Sequence, residues 1–212
     1  MTDEKNTKHT DDLLDITQPE DSDQEQSTLG KVGLFFLEFI KVALLAGLTI
    51  GLVRYFLFKP FYVKGQSMVP TFYEREYLIV DEITYRFREP ERGEVIVFRA
   101  PIDEKDFYLK RVIGLPGERV RVDDNKIVIY NEKYPEGVVV EESYLPISKK
   151  TSGSVIFTLG ADEYFVLGDN REASFDSRRF GPIPRSDIIG RTVFRGWPFS
   201  RISTFSTPEY NF

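Results

Sequence analysis

Ser67 is the first residue in this chain whose surroundings could support chemistry, and the rest of the chain limits what could activate it. The sequence has no cysteine and a single histidine, His9. His9 lies in a polar, acidic stretch with too few apolar residues to fold, which excludes a buried Ser-His-Asp arrangement. A reactive serine must therefore use lysine as its base. Gly65 and Pro70 make the chain around Ser67 tight and stiff, which suits a nucleophile.

Lys110 is the matching candidate for that base because it lies inside the apolar segment FYLKRVIG, residues 107–114. Strand alternation places Lys110 on one face with Tyr108 and Val112, so at least one basic side chain shares a face with apolar neighbours. Complete burial would lower the lysine pKa by as much as about 3 to 5 pH units. The neutral amine could then deprotonate a hydroxyl near neutral pH. The alternative is an ordinary strand lysine that faces water.

A third segment, GDNREASFDSRRFGPIP at residues 168–184, combines a glycine-flanked turn with hydroxyl, carboxylate and guanidinium side chains. Ser174, Asp176 and Arg178 are its candidate functional residues. Taken alone, the segment could be a polar surface loop, and an Asp176–Arg178 pair would contribute little if it were exposed.

Two segments precede the candidate residues, an acidic N-terminal tail and an apolar anchor. Residues 1–30 carry nine acidic side chains against two lysines, a composition that predicts a disordered tail and excludes an Arg-rich transit peptide. Residues 31–58 are strongly apolar on all sides of a helix and predict one transmembrane anchor, although Glu38, Lys41 and Arg54 interrupt them. An interfacial or buried core helix is the alternative. Flanking charges do not decide the orientation.

After the anchor, residues 59–212 read as a β-rich domain of short strands separated by turns. The predicted strands are 76–83, 93–100, 106–115, 118–123, 126–131, 154–160 and 163–169. Residues 124–161 are more polar and turn-rich, which favours a small β-hairpin cap inserted into the core. The predicted fold is therefore mainly β, with an antiparallel core, an inserted cap and one N-terminal transmembrane helix.

Together, the three segments resemble the type I signal peptidases, which are membrane-bound Ser-Lys serine endopeptidases. The resemblance runs from about Phe61 to Ile202 and includes the terminal RTVFRGWPFSRI. It implies that Ser67 is the nucleophile, Lys110 the general base, and Ser174 the hydroxyl that orients the lysine. It also implies a cleavage site of the small-x-small type, bound by Phe61, Val63 and Leu109. The residues expected to support the site are Gly65, Met68, Pro70, Arg111, Gly168, Asp169, Asn170, Asp176 and Arg178.

The implied mechanism is acyl transfer that needs no metal and no cofactor. The backbone N–H of Ser67 is the matching oxyanion donor. Some family members place a serine two residues before the nucleophile as a second donor, whereas this chain has Gly65. A backbone group or water would have to replace that hydroxyl.

The resemblance further implies preprotein signal peptides and membrane lipid as partners, proximity to the secretion translocon, and no nucleic-acid partner. The expected location is the bacterial cell membrane, single-pass, with the catalytic domain on the extracytoplasmic side. A membrane-facing aromatic surface is expected from Phe61, Tyr62, Phe72, Tyr73 and Trp197. The alternatives are a LexA-like self-cleaving Ser-Lys protein and a non-catalytic, membrane-tethered β module that binds extended peptides.

Overall fold

The structure, a computed structural model, describes residues 22–56, 58–103, 105–123, 125–146 and 150–212. The chain divides into two compact units, Met1–Ile50 and Gly51–Phe212. Residues 1–21 of the predicted disordered tail lie outside the described residues.

One long helix, α1, spans Ser22–Phe56. Its segment Gly30–Leu52 has 23 residues and a mean hydropathy of 2.0, which makes it long and apolar enough to cross a membrane. At 1.5 Å per residue it measures about 34 Å, against about 30 Å of hydrocarbon core. The helix begins earlier than predicted: residues 22–30, which were assigned to the tail, are helical. Once a helix has formed, each added residue gains a backbone hydrogen bond, and the segment carries good helix formers such as Gln24, Glu25 and Leu29.

Two antiparallel sheets form the second unit. The larger sheet contains β1 (Phe58–Tyr62), β2 (Tyr77–Asp81), β3 (Val95–Arg99), β4 (Phe107–Gly114), β9 (Glu163–Leu167), β10 (Ile183–Pro184), β11 (Ile188–Trp197) and β12 (Ser203–Thr204). The smaller sheet contains β5 (Arg119–Asp123), β6 (Lys126–Tyr130), β7 (Val138–Val139) and β8 (Val155–Thr158). A four-residue helix, α2, spans Ser177–Phe180, and 3₁₀ turns occupy Thr84–Arg86, Arg185–Asp187 and Phe199–Arg201. The prediction of a mainly β, antiparallel body preceded by one apolar helix is confirmed.

The larger sheet does not follow chain order, since its strands run β1-β2-β11-β3-β4-β9-β10. Strand β11 lies between β2 and β3, which are neighbours in sequence, and β12 pairs with its end. Three strands lie between β1 and β4 in this order, yet the turn after β1 contacts the middle of β4. The sequence-derived strands did not include β1 or β11, and both are needed to place the site.

The smaller sheet has the order β7-β6-β5-β8. Three of its strands fall within residues 124–161, the range predicted as an inserted hairpin cap. The sheet itself begins earlier, at Arg119, because β5 pairs with both β6 and β8. The exact limits of the cap stay a prediction.

Strand β4 is an interior strand of the larger sheet, between β3 and β9, and its carboxyl half is covered on both faces. Val112 packs in one apolar cluster with Ile96, Phe98 and Val166, whereas Ile113 packs in another beneath the smaller sheet. Residues 110–113 are all buried for this reason. A lysine or arginine in this segment must therefore find its partners inside the protein.

Phe72 corrects the expectation of a membrane-facing aromatic surface. Its side chain is 0% exposed and packs in a third apolar cluster with Met68 and Leu78. The Phe205 ring lies 4.5 Å from it, centroid to centroid. Phe72 therefore anchors the loop that carries Ser67 and cannot contribute to an outer surface.

Candidate active site

Ser67 and Lys110 meet although 43 residues separate them in sequence. The Lys110 Nζ lies 2.8 Å from the Ser67 Oγ, a direct hydrogen bond, and it also donates to the Leu109 carbonyl oxygen at 3.0 Å. Ser67 lies in the turn between β1 and β2, and Lys110 is the fourth residue of β4. The arrangement has the geometry that a nucleophile and its general base require.

Burial prepares the Lys110 amine to accept a proton. The side chain is 4% exposed. Burial lowers the pKa of Lys110 from 10.5 to about 8, while the carboxylates of Asp176 and Asp169 oppose part of that decrease. A substantial fraction of the amine is therefore neutral near physiological pH, and the neutral form can act as a base.

The loop that carries Ser67 is held at several points. Met68 and Phe72 are buried in the apolar cluster beneath it. The Ser67 carbonyl oxygen accepts a hydrogen bond of 2.9 Å from the backbone N–H of Asn170, and the Asn170 amide donates to the Gln66 carbonyl oxygen at 3.1 Å. These contacts join the nucleophile loop to the segment that follows β9.

Two further contacts hold the end of the same loop at Thr71. Its hydroxyl donates to the Asp169 carboxylate at 2.5 Å, and its carbonyl oxygen accepts from Arg195 at 2.5 Å. The Arg195 guanidinium lies over the rings of Phe72 and Phe205 and forms an ion pair of 3.0 Å with the buried Glu76. Sequence reasoning assigned no role to Thr71 or Arg195. Both lie in segments that carried the resemblance, but only the tertiary contacts show what they hold.

Arg111, the neighbour of Lys110, forms a two-point ion pair with Asp169. Its Nε and Nη2 donate to the two carboxylate oxygens at 2.9 and 2.6 Å, and its Nη1 donates to the Gly93 carbonyl oxygen at 2.8 Å. The side chains are 5% and 0% exposed. Burial opposes the charge, but the hydrogen bonds and charge of Asp169 raise the pKa of Arg111 above its usual value.

Asp176 and Arg178 form an ion pair of 2.8 Å, with side chains that are 0% and 9% exposed. Asp176 also accepts a hydrogen bond from the Gly168 N–H at 3.1 Å, and Arg178 donates to the Arg171 carbonyl oxygen at 2.6 Å. The pair thus closes the loop between β9 and α2 from within. An exposed ion pair would have contributed little to stability, whereas this buried pair also forms hydrogen bonds with buried backbone groups.

Gly168 is required by the close approach of two chain segments. A Cβ at this position would overlap the Ser174 hydroxyl and lie 2.5 Å from the Ser67 carbonyl oxygen. Any larger residue would therefore push the nucleophile loop away from the loop that contains Ser174.

Ser174 lies near Ser67 but lacks the hydrogen bond to Lys110 that was expected of it. The side chain is 8% exposed, and its Oγ has no hydrogen-bond partner among the described residues. The resemblance implies a hydrogen bond from this hydroxyl to Lys110. In the structure the hydroxyl approaches Gly168, because Ser174 follows directly from the tight turn that the Asp176 carboxylate stabilises.

An apolar groove of about 340 Å³ opens onto Ser67 and Lys110. Phe61, Val63 and Leu109, predicted to contact substrate, all line it. Phe107 extends this wall, with its ring 5.7 Å from that of Phe61. Apolar walls beside an extended edge strand suit a peptide that pairs with the backbone and places its side chains against those walls.

Gly65 lies at the same groove and has a φ of +81°, a conformation that favours glycine. Apart from its chain neighbours, no described residue has a heavy atom within 4 Å of the position that a Cβ would occupy there. The space beside Gly65 is therefore open among the described residues. In the part of the chain that the structure describes, no group of three or more His, Asp or Glu residues could hold a metal ion.

The known proteins that this chain resembles are named as signal peptidases. The family described as "Signal peptidase, peptidase S26" matches residues 36–197. A signal peptidase I from Leptolyngbya laminosa is 37% identical over 182 residues, which cover 81% of this chain and 85% of that protein. A signal peptidase IB from Staphylococcus aureus strain Mu50 is 34% identical over 184 residues, covering 82% of this chain and 95% of that protein.

A crystal structure of a signal peptidase I from Enterococcus faecalis V583 matches with 30% identity and a TM-score of 0.41, over 49% of this chain and 97% of that one. The family match spans more than half of the chain, and both curated relatives align over most of their own length. The chain belongs to the signal peptidase family of serine endopeptidases, peptidase S26.

Proposed function

We propose that this protein is a membrane-bound serine endopeptidase that removes signal peptides from exported preproteins, using Ser67 and Lys110 as its catalytic dyad. The observation that carries the proposal is the 2.8 Å hydrogen bond between the Lys110 Nζ and the Ser67 Oγ at the floor of an apolar groove. The curated relatives that bear the name signal peptidase support the substrate class.

In the proposed mechanism, the neutral Lys110 amine takes the hydroxyl proton as Ser67 Oγ attacks the carbonyl carbon before the cleavage site. The C–N bond then breaks as the protonated Lys110 gives its proton to the leaving amine. Water, deprotonated by the same amine, attacks the carbonyl carbon of the acyl-serine ester. The C–Oγ bond then breaks, Lys110 returns the proton to the Ser67 Oγ, and the carboxylic acid product leaves. The Ser67 backbone N–H donates to the oxyanion in both tetrahedral steps.

Cleavage after a small-x-small sequence is part of this proposal. The groove is lined by Phe61, Val63 and Leu109. In this proposal, these apolar side chains leave room for small substrate side chains and exclude large ones. The free edge of β1 supplies backbone donors and acceptors that an extended substrate can pair with.

A preprotein assay tests the proposal. The full chain in detergent is incubated with a preprotein that carries an Ala-x-Ala site, and the cut is mapped by mass spectrometry. Ser67→Ala and Lys110→Ala should each lower the rate by about 10²- to 10⁴-fold or more, because each removes one partner of the proton transfer. Wild-type rates in either variant would reject the dyad.

We also propose that the protein is single-pass in a bacterial cell membrane, with the catalytic domain on the extracytoplasmic side, near the translocon that delivers its substrates. The 23-residue apolar segment Gly30–Leu52 supports the anchor. The chain has no cysteine, so single-cysteine variants are informative. A membrane-impermeant maleimide should label Lys126→Cys in intact cells and should label Thr7→Cys only after lysis. The reverse pattern would overturn this orientation.

The two alternatives are less well supported. A LexA-like protein needs a helix-turn-helix, yet the helices of the described residues after α1 have only three or four residues each. A non-catalytic binding module has no use for a buried lysine that is hydrogen-bonded to a serine.

A further inference from the structure

The groove has a second wall that none of the predicted substrate contacts uses. Tyr108, Ala173 and Phe175 line the groove together with Phe61 and Leu109. Phe175 is exposed, at 37%, although its neighbours Ser174 and Asp176 are 8% and 0% exposed. A large apolar side chain that faces a groove from between two buried residues is available to contact a ligand.

Alternation along β4 assigns the two walls to opposite sides of the strand. Leu109 shares a face with Phe107, which packs on Phe61. Tyr108 shares a face with Lys110, whose Nζ lies 5.4 Å from the centre of the Tyr108 ring. Leu109 packs with the cluster around Met68, and Tyr108 packs with the cluster around Phe98. The lysine side of the strand is therefore the side of the second wall.

The proton transfer indicates which part of the substrate would contact the second wall. In the proposed mechanism, which this inference assumes, Lys110 must return a proton to the leaving amine, so that nitrogen passes within hydrogen-bond reach of Nζ. The residues after the cleavage site follow that nitrogen. The Tyr108 ring lies 5.4 Å from Nζ and is therefore within reach of those residues. It also lies 6.4 Å from the ring of Phe180, which lies 5.5 Å from that of Phe175.

We propose that Tyr108, Ala173 and Phe175 form an apolar subsite for the first side chain after the cleavage site. This subsite favours substrates with an apolar or aromatic residue at that position over substrates with an acidic one. Phe175 is the specificity-determining residue, because it is the large exposed apolar side chain of this wall and its ring packs against that of Phe180.

A pair of peptides tests the subsite. Both carry the same signal sequence and Ala-x-Ala site, and they differ only in the residue after the cut, Phe or Asp. The full chain in detergent should cleave the Phe peptide with a kcat/KM about 3- to 10-fold higher, the preference expected of one aromatic contact. Phe175→Ala should bring the ratio close to one, and Phe175→Leu, which stays apolar, should retain most of it.

Phe107→Ala is the matched control, because Phe107 is also an exposed phenylalanine of the groove, at 49%, but lies on the first wall. It should keep the Phe-to-Asp ratio and instead change the preference for residues before the cut. A purely structural role of Phe175 would lower the rates of both peptides equally and leave the ratio unchanged, which would overturn the subsite.

The outcomes separate this inference from the function on which it depends. Equal cleavage of the two peptides by the wild-type protein, abolished in Ser67→Ala, would refute the subsite and leave the peptidase intact. Absence of cleavage, or cleavage that survives in Ser67→Ala, would refute the peptidase and the subsite together.

Discussion

Lys110 and Arg111 are adjacent in β4 and are each only 4% exposed, yet their side chains are in opposite electrostatic situations. Burial lowers the pKa of Lys110 to about 8. Arg111 is equally buried, but the pKa of its guanidinium is raised because two hydrogen bonds join it to the Asp169 carboxylate. Among the described residues, the lysine has only a hydroxyl and a carbonyl oxygen as hydrogen-bond acceptors.

The comparison shows that burial alone does not create a base. A buried cation keeps its proton when a carboxylate binds it directly, and loses it more easily when its partners are neutral. Strand alternation turns the two side chains to opposite sides of β4, so that one faces Ser67 and the other faces Asp169. One strand can therefore carry both a structural cation and a proton acceptor.

The largest expected effect comes from removing the structural cation. Arg111→Met leaves the Asp169 carboxylate buried and without its charge partner, which should cost about 3 to 5 kcal/mol of unfolding free energy. Urea unfolding of the full chain in detergent, followed by the fluorescence of the single tryptophan, measures it. An unchanged unfolding free energy would contradict the structural role given to this ion pair.

Substituting Met for Lys110, one residue earlier, should raise the unfolding free energy rather than lower it. The pKa of Lys110 lies 2.5 pH units below its usual 10.5. At about 1.4 kcal/mol per pH unit, holding the charged amine costs about 3 kcal/mol at pH 7. Lys110→Met should remove that cost and be more stable than the wild-type protein.

The gain from Lys110→Met should depend on pH in a defined direction. Between pH 8 and 10.5 the unfolded chain binds more protons than the folded one, so the stability of the wild-type protein rises with pH there. The advantage of the variant should shrink across that window. A constant difference from pH 7 to 11 would mean that the buried amine is not the source of the cost.

The pH dependence of activity should follow the lysine. Because only the neutral amine accepts a proton, kcat/KM should rise about tenfold per pH unit well below pH 8 and level off above it. Steady-state cleavage of a fluorogenic peptide from pH 5.5 to 9.5 measures the profile. A profile that is flat over this range would exclude a base with a pKa near 8.

Ser174→Ala should have the smallest effect on stability, within about 1 kcal/mol, because the hydroxyl it removes has no hydrogen-bond partner among the described residues. If this hydroxyl orients Lys110 during the reaction, as predicted, kcat/KM should nevertheless fall. Unfolding and cleavage assays on the same sample separate the two effects. Unchanged activity would remove Ser174 from the mechanism.

Several parts of the site could be predicted from the sequence because they depend on local chemistry. The absence of cysteine and the position of the only histidine left lysine as the base for Ser67. The apolar run around Lys110 predicted a strand, and β4 forms there. The family and the enzyme class followed from the order of the motifs and are confirmed. The β-rich fold followed from the short apolar runs between turn signals and is also confirmed.

Other parts depended on contacts between distant segments. Phe72 was predicted to face a membrane, but its side chain is buried. Residue type alone does not distinguish an aromatic side chain on a surface from one in a core. Arg195 holds the Thr71 carbonyl across 124 residues of sequence. The second groove wall required Phe175 and Tyr108 to meet at one opening, which no sequence pattern indicates.

The sequence by itself determined which side chains are available for catalysis, where the apolar helix lies and which segments form most of the strands, since these follow from residue type and short-range periodicity. Only the tertiary structure decided which side of β4 faces the serine and which cation receives the carboxylate. The physical reason is that the pKa of a buried amine depends on the solvent excluded and the charges brought near it, and both come from residues far away in the chain.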